Sequence, residues 1–248
     1  MNWPLVKFES LYAEPSKNGL YKSKEFHGEG NRIVNMGELF AYPFIGNQDM
    51  PLIRLTEDEL SRFSLVTGDL LFARRSLIEE GAGKCVIVVN HDTPMAFESS
   101  IIRVRLNLEL CDNKFYYYYF LSPIGRSKIQ SIITGVAQKG IRGNELKQVM
   151  VHRPPIDIQR RIASILSAYD DLIENNNRRI ALLEESMRLL YREWFVRLRF
   201  PGHEHVRVVD GLPEGWERKS VRDIVTESKD LVDPNDIDPD TPYVGLEH

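Results

Sequence analysis

The feature that most constrains this chain is a long stretch without a helix-breaking residue. Pro154 and Pro155 precede it, and neither proline nor glycine occurs again before Pro201. Because these two residue types usually end helices, the stretch predicts one long helix. At about 1.5 Å per residue the helix would be roughly 60 Å long, which is longer than a small domain is wide.

Apolar residues recur along this stretch with alternating spacings of four and three, and one polar residue, Asn176, stands among them. These seam residues are Ile162, Leu166, Tyr169, Ile173, Asn176, Ile180, Leu183, Met187, Leu190 and Trp194. Such a heptad seam predicts pairing with a second helix, including an antiparallel homodimer in which Asn176 would fix the register at a cost in stability. The alternative is a buried helix of a bundle, but no other long heptad segment in the chain could complete one.

The composition is typical of a globular protein. The 248 residues suffice for one domain with an extension, or for two small domains. No apolar run approaches the ~20 residues of a membrane span, and the start of the chain lacks the basic-then-apolar order of a signal peptide. Cys85 and Cys111 are too few for a disulfide framework or a four-ligand zinc site. We therefore expect a cytoplasmic protein that does not contact membranes.

The charge is unevenly distributed. The net charge is −4, yet six Lys or Arg residues and a single acid, Glu145, lie between Ser122 and Arg153. Because a local basic patch attracts phosphate more than the total charge does, this segment is a candidate nucleic-acid surface.

Residues 1–153 have the mixed pattern of an α+β domain. Thr56-x-x-Glu59 is a capping box and predicts the start of a short helix. Apolar runs at residues 70–73 and 85–89 predict a buried hairpin. The long tip of this hairpin would carry Arg74, Arg75, Glu79, Glu80 and Lys84.

Other segments of this domain have weaker patterns. Residues 14–31 are polar and contain glycine, which favours a loop, whereas residues 32–42 resemble a strand that leads into a turn. Residues 102–106 alternate, which predicts a half-buried strand with Arg103 and Arg105 on the face opposite its apolar residues. Residues 146–151 read as a further strand.

Four consecutive tyrosines, Tyr116 to Tyr119, lie in a predicted helix that Asp112 or Asn113 caps and Pro123 ends. We expect this helix to pack on two sides with its hydroxyl groups at the rim. A platform on which nucleic-acid bases stack is the alternative. A second helix is predicted over residues 124–133.

Residues 134–144 form a glycine-punctuated loop that carries Gln138, Lys139 and Arg142. Glutamine can hydrogen-bond adenine, arginine can hydrogen-bond guanine, and lysine neutralises phosphate. The same residue types also occur in ordinary solvated loops, so composition alone leaves both interpretations open.

No credible catalytic constellation, cofactor motif or metal site is found in the sequence. Gly81-x-Gly83-Lys84 is followed by Cys85 where a phosphate loop requires Ser or Thr. His203 and His205 lack further residues at ligand spacing and indicate a surface turn. We therefore expect a non-catalytic binding protein.

A short internal repeat follows the long helix. Gly215-Trp216, Val221 and Ile224 repeat the spacing of Asn2-Trp3, Phe8 and Leu11. We expect residues 1–153 to form a recognition domain and residues 154–200 a coiled-coil spacer helix. Residues 201–248 would be a linker and the truncated start of a second such domain.

Four motifs in order resemble the specificity subunit of type I restriction-modification systems. They are Gly68-Asp69-Leu70-Leu71-Phe72-Ala73-Arg74, then Ala137-Gln138-Lys139-Gly140-Ile141, then Pro154-Pro155-x-x-x-Gln159-x-x-Ile162-Ala163-x-x-Leu166-x-x-x-Asp170, and finally Tyr191-Arg192-x-Trp194-Phe195. Such subunits hold two target recognition domains separated by two long helices. This chain departs from that pattern, since it has one complete domain, one long helix and only the start of a second domain. Either it is a truncated subunit or fragment, or two copies pair to rebuild the missing half.

The resemblance implies a DNA reader that recognises half of a bipartite target and recruits methyltransferase and endonuclease subunits. The resemblance implies that Arg74, Gln138 and Lys139, which lie within matched motifs, contact DNA. We add Arg75, Lys84 and Arg142 as candidate DNA contacts only because their side chains are cationic. A second apolar stripe, formed by Leu182, Leu189 and Val196 with Phe195, would dock on a methyltransferase subunit or on the chain's own domain. The main alternative is an interaction adaptor that joins proteins through its coiled coil without reading DNA.

Overall fold

The computed structural model describes residues 3–135 and 138–226, which divide into two compact units between Asn176 and Asn177. The strands of the first unit are β1 (Leu5–Lys7), β2 (Tyr12–Asn18), β3 (His27–Val34), β4 (Phe44–Ile45), β5 (Leu52–Ile53), β6 (Leu70–Ala73), β7 (Arg75–Ser76), β8 (Cys85–Val88), β9 (Met95–Phe97), β10 (Ile101–Leu106), β11 (Lys139–Gly140) and β12 (Met150–His152). Its helices are α1 (Met36–Ala41), α2 (Glu57–Phe63), α3 (Asn113–Leu121), α4 (Pro123–Gln130) and α5 (Gly143–Leu146), and it contains the start of α6 (Ile156–Tyr191).

A five-stranded sheet in the order β2-β10-β6-β8-β4 is the centre of the first unit. The predicted hairpin is confirmed, because β6 and β8 pair antiparallel with Leu71 opposite Val86. Leu70 and Phe72 belong to a core cluster that includes the aromatic residues of α3, whereas Leu71 and Ala73 belong to a second cluster. Both faces of β6 are therefore covered, which explains its uninterrupted apolar sequence.

The predicted helix starts are also confirmed. The Glu59 backbone N–H donates to Thr56 Oγ1 at 3.2 Å, and the Thr56 N–H donates to the Glu59 carboxylate at 2.9 Å, which together form the capping box of α2. Asp112 caps α3 by accepting from the Phe115 N–H at 2.8 Å. In α3, Tyr116, Tyr117 and Tyr119 are buried and Tyr118 is half-buried, as the packed-helix interpretation requires.

Three local predictions were only partly right. Residues 14–31 contain most of β2 and the first part of β3 where a loop was expected, because their polar side chains lie on an edge strand and on a strand with an irregular register. After β3 the chain forms α1, whose capping box begins at Asn35. Residues 146–151 contain the end of α5 and only part of β12, since the turn at Gly143 starts a short helix.

The largest departure concerns Arg103, which is buried at 2% exposure within β10. Arg103 lies on the face of the sheet that carries Leu71 and Ile101 of the second core cluster, and the Arg103 Nη2 atom is 2.8 Å from a Glu14 carboxylate oxygen of the neighbouring strand β2. Arg103 and Arg105 do lie on the face opposite the apolar residues Ile102 and Val104, as predicted. The strand is not half-buried, however, because both of its faces are covered by other residues. Alternation in sequence cannot reveal this, because Glu14 comes from a segment distant in the chain.

The predicted long helix is confirmed as α6, which continues past Asn176 into the second unit and ends in a π-helical turn, Arg192–Val196. The second unit also contains the antiparallel strands β13 (Val208–Val209) and β14 (Leu212–Pro213) and the single-turn helix α7 (Val221–Ile224). Its aromatic cluster is centred on Trp216, which stacks on Phe200 at 5.3 Å between ring centroids. Among the described residues, no helix is long and apolar enough to cross a membrane.

Candidate nucleic-acid interface

Two segments that the sequence analysis treated separately meet in the first unit. Strand β7 pairs antiparallel with β11, which places Gly140 opposite Arg75 and Lys139 opposite Ser76. The Ile141 backbone N–H also donates to the Arg74 carbonyl oxygen at 3.0 Å. The segments that carry the cationic residues of the hairpin and of the glycine-punctuated loop therefore meet at this strand pair.

The loop is held at its base by backbone hydrogen bonds. Thr134 and Gly140 exchange two N–H···O bonds of 2.9 Å each. Gly140 is required there, because a Cβ atom would lie 2.6 Å from the Arg74 carbonyl oxygen. Val136 and Ala137, which belong to the predicted loop, lie outside the described residues.

A polar cleft lies beside this junction. Its volume is about 300 Å³, and Ser16, Asn18, Arg74, Arg142, Gly143 and Asn144 line it. The half-buried Arg74 donates from Nη1 to the Ser99 carbonyl oxygen at 3.2 Å, whereas Arg142 is exposed. Two guanidinium groups, a hydroxyl and two amides are the donors that phosphate oxygens and base edges accept from.

The other candidate residues occupy different environments. Arg75 and Gln138 are exposed. Lys139 lies 3.9 Å from the Glu79 carboxylate in a partly exposed ion pair. The Lys84 ammonium donates to the Phe40 carbonyl oxygen at 2.7 Å and lies 5.4 Å from the Phe40 ring centroid, and burial lowers the pKa of Lys84. Lys84 is thus held in a contact within the chain.

Arg126 supports the hairpin tip, a role that the sequence analysis missed. Its Nη1 donates to the Ala82 carbonyl oxygen at 2.8 Å, and its Nη2 donates to the carbonyl oxygens of Glu79 at 2.8 Å and Glu80 at 2.9 Å. Burial lowers the pKa of Arg126. In the sequence Arg126 was one of the cations of the basic patch, and nothing local distinguishes a cation that binds backbone carbonyls from a free one.

The start of α6 is anchored to the first unit. Tyr118 donates from its hydroxyl group to the Asp170 carboxylate at 2.5 Å. Gln159 is fully buried; its Oε1 accepts from the Asp112 N–H at 2.9 Å and its Nε2 donates to the Pro154 carbonyl oxygen at 2.8 Å. An apolar cavity of about 290 Å³ lies here, and the seam residues Ile162 and Leu166 are among those that line it.

The rest of the seam is exposed. Ile162 is half-buried, and Asn176 is exposed. The apolar seam residues from Leu166 to Trp194 are 37–63% exposed. The residues of the second stripe are exposed as well: Leu182 by 61%, Leu189 by 47%, Phe195 by 53% and Val196 by 66%.

The described part of the chain contains no cluster of three or more His, Cys, Asp or Glu side chains that could hold a metal ion. His203 and His205 lie in a short 3₁₀ turn, where His203 Nδ1 is 2.8 Å from the Phe200 carbonyl oxygen.

Comparison with known proteins identifies a single family. A family model described as the type I restriction modification DNA specificity domain matches residues 14–185. The type I restriction enzyme EcoKI specificity subunit of Escherichia coli strain K12 is 30% identical over 176 residues, which are 68% of this chain and 37% of that protein. The type I restriction enzyme MjaIX specificity subunit of Methanocaldococcus jannaschii is 31% identical over 117 residues, which are 46% of this chain and 27% of that protein.

The fold is also similar to a solved structure. The crystal structure of the type I restriction-modification system S subunit from M. genitalium matches with a TM-score of 0.55 and 20% sequence identity, over 83% of this chain and 48% of that chain. The chain thus spans less than half the length of each of these three proteins.

Proposed function

Because the chain belongs to the family of type I restriction-modification specificity subunits, we propose that it reads one half of a bipartite DNA target and has no catalytic role. DNA recognition is the role of this family. The further proposal concerns which surface reads the DNA and which surfaces hold the partner subunits.

The observation that carries the proposal is the junction of β7 and β11. It brings the strands that carry Arg75 and Lys139 side by side, with the two side chains on opposite faces of the strand pair, next to a cleft that contains Arg74 and Arg142. Lysine and arginine at such a surface neutralise phosphates and position the duplex, whereas an exposed Gln138 and Arg142 have the donor and acceptor groups that read base edges. Lys84 contributes through its contact with Phe40, which fixes the neighbouring hairpin, more than through a free charge.

The test compares two substitutions in the chain assembled with the methyltransferase subunit of its own system. Lys139→Ala should weaken binding to all duplexes and reduce the salt dependence of log K by about one unit, because one phosphate contact is lost. Gln138→Ala should instead reduce discrimination between sequences. Lys24, which is exposed in another part of the first unit, gives the matched control Lys24→Ala.

If the assembled wild-type complex binds no duplex in a filter-binding assay against random sequences, the chain is an adaptor that joins proteins, and the reader proposal is wrong. If the complex binds DNA but neither substitution changes binding, the loop is only a scaffold.

The exposed seam supports pairing of two copies through α6. The apolar seam residues from Leu166 to Trp194 are 37–63% exposed, and the first two seam residues line an apolar cavity. An antiparallel pair would place one recognition domain at each end, which would rebuild the two-domain arrangement from a chain that spans less than half of its relatives.

We assign the second stripe to a methyltransferase subunit, because one partner helix cannot cover both it and the seam. Replacing Leu182 and Leu189 with Gln should abolish co-purification with the methyltransferase subunit while the homodimer persists. Retention of the complex would contradict the assignment. The endonuclease subunits would join the assembly through that complex.

A further inference from the structure

Two apolar side chains protrude from the hairpin that carries the candidate interface. Leu77 is 85% exposed and Ile78 is 62% exposed, and they lie directly after β7. We call this pair the apolar tip. Exposed apolar residues are common singly, but two consecutive ones on a protruding hairpin form a small apolar patch that a partner can cover.

The apolar tip is held in place by specific contacts. The Ile78 N–H donates to Ser76 Oγ at 3.2 Å, and a Cβ atom on Gly81 would lie 2.3 Å from the same oxygen. Arg126 donates to the carbonyl oxygens of Glu79, Glu80 and Ala82, which directly follow the tip. The side chains are therefore presented by a fixed backbone, so little conformational entropy is lost when a partner covers them.

The charges around the apolar tip are ordered. The exposed Arg75 lies at its base on β7, and Lys139 on the paired strand β11 lies 3.9 Å from the Glu79 carboxylate, whereas the exposed Glu80 follows on the far side of the tip. Carboxylates repel phosphates, so the apex is unsuited to the DNA backbone. Cations at the base and an apolar, acidic apex fit a loop that passes between two phosphate strands and reaches the bases, where a carboxylate can accept from the cytosine amino group.

We propose that the apolar tip enters the major groove and contacts the 5-methyl group of thymine in the recognised half-site. This proposal rests on the proposed function. It adds which groove is entered, which residues enter it and which chemical group of the base they contact. Thymine is the base whose major-groove edge is apolar, and aliphatic side chains are its usual contacts.

The test uses duplexes that the wild-type chain, assembled with its methyltransferase subunit, selects from a random pool. Each thymine of the selected half-site is replaced in turn by deoxyuridine, which removes only the methyl group. At one or two positions the wild-type complex should lose about fourfold in affinity, the value for one buried methyl group. Leu77→Ser and Ile78→Ser should lose affinity for the thymine duplex and show no further loss with deoxyuridine.

The control variant is Leu108→Ser, because Leu108 is 58% exposed and follows β10. It should behave as the wild-type chain does. The salt dependence of binding should be unchanged in both tip variants, since no phosphate contact is removed.

Several outcomes overturn the proposal. Tip variants that still distinguish thymine from deoxyuridine as the wild type does would exclude contact with the methyl group. Loss of affinity in the tip variants without any deoxyuridine effect in the wild type would indicate insertion between bases instead. Loss of assembly with the methyltransferase subunit would make the tip a protein contact. A wild-type complex that selects no duplex would refute the proposed function itself, and the tip proposal with it.

Discussion

At the residue scale, the buried carboxylate of Asp69 ties strand β10 to the segment that precedes β6. Its Oδ1 accepts from Arg105 Nε at 2.8 Å, and its Oδ2 accepts from Arg105 Nη2 at 2.8 Å and from the Val66 N–H at 2.9 Å. Arg105 Nη1 in turn lies 2.7 Å from Glu14. Hydrogen bonding to Asp69 raises the pKa of Arg105, whereas burial lowers the pKa of Arg103. Asp69 belongs to the motif Gly68 to Arg74, and its role there is structural, because its carboxylate neutralises arginines of β10.

We predict that Asp69→Ala lowers the free energy of unfolding by about 3 kcal/mol, because the half-buried Arg105 then keeps only Glu14 as its counterion and the Val66 N–H loses its acceptor. The measurement is chemical denaturation monitored by circular dichroism. The matched control is Asp58→Ala, since Asp58 pairs with Arg62 at 3.5 Å in an exposed position. Asp58→Ala should lower the free energy of unfolding by at most about 1 kcal/mol. Equal losses in the two variants would contradict this role of Asp69.

The two cysteines should be inert in the folded chain. Burial raises the pKa of Cys85 well above its ordinary value and raises the pKa of Cys111 to about 12. At pH 8 neither thiol should react with an alkylating reagent until denaturant is added, because the thiolate is the nucleophile. Stoichiometric labelling of the native chain would contradict this.

The same shifts make stability depend on pH. The folded pKa values of the cysteines exceed that of an unfolded thiol, about 8.5. The stabilisation is therefore fully present below about pH 8.5 and declines as the pH rises toward 12. Denaturant midpoints measured from pH 7 to pH 10 should fall, and they should fall less in Cys111→Ala.

At the element scale, the sequence predicted the features that depend on neighbouring residues. The capping box at Thr56, the cap at Asp112 and the length of α6 all follow from local chemistry, and all three are present. The sequence also predicted which cationic residues belong to the interface, but it could not predict that the segments carrying them lie next to each other. The pairing of β7 with β11 joins segments far apart in the chain, and the burial of Arg103 and Arg126 depends on carboxylates and carbonyls that are equally distant.

Asn176 tests whether α6 pairs through its seam. Asn176→Leu should raise the melting temperature of the homodimer, because a buried polar seam residue costs stability, and it should loosen the orientation of the two helices. The adjacent Asn175 is exposed and off the seam, so Asn175→Leu is the matched control and should leave the dimer unchanged. Thermal unfolding together with the mass in solution reports both effects. A monomeric wild-type chain, or the same melting temperature for both variants, would remove the seam argument.

At the scale of the whole molecule, the internal repeat has a structural counterpart. Phe8–Leu11 forms one turn of 3₁₀ helix in the first unit, and Val221–Ile224, at the repeated positions, forms one turn of α-helix in the second. Phe8 and Leu11 are fully buried, whereas Val221 is 73% and Ile224 is 70% exposed. Each of the repeated positions therefore lies in a single helical turn, but Val221 and Ile224 are not buried among residues 177–226. This supports the proposal that a second recognition domain starts here.

If two copies pair antiparallel through α6, the length of the helix sets the distance between the two reading surfaces. Duplicating residues 173–179 preserves the seam and lengthens each helix by one heptad, about 10.5 Å at 1.5 Å per residue. At about 3.4 Å per base pair, the non-specific gap between the half-sites should grow by about three base pairs. Selection of duplexes from a random pool, followed by sequencing, measures the gap. Deleting the same heptad is the opposite control and should shorten the gap by the same amount. An unchanged gap in both variants would mean that the recognition domains are positioned by other contacts, since no rigid spacer of altered length could hold them at the original distance.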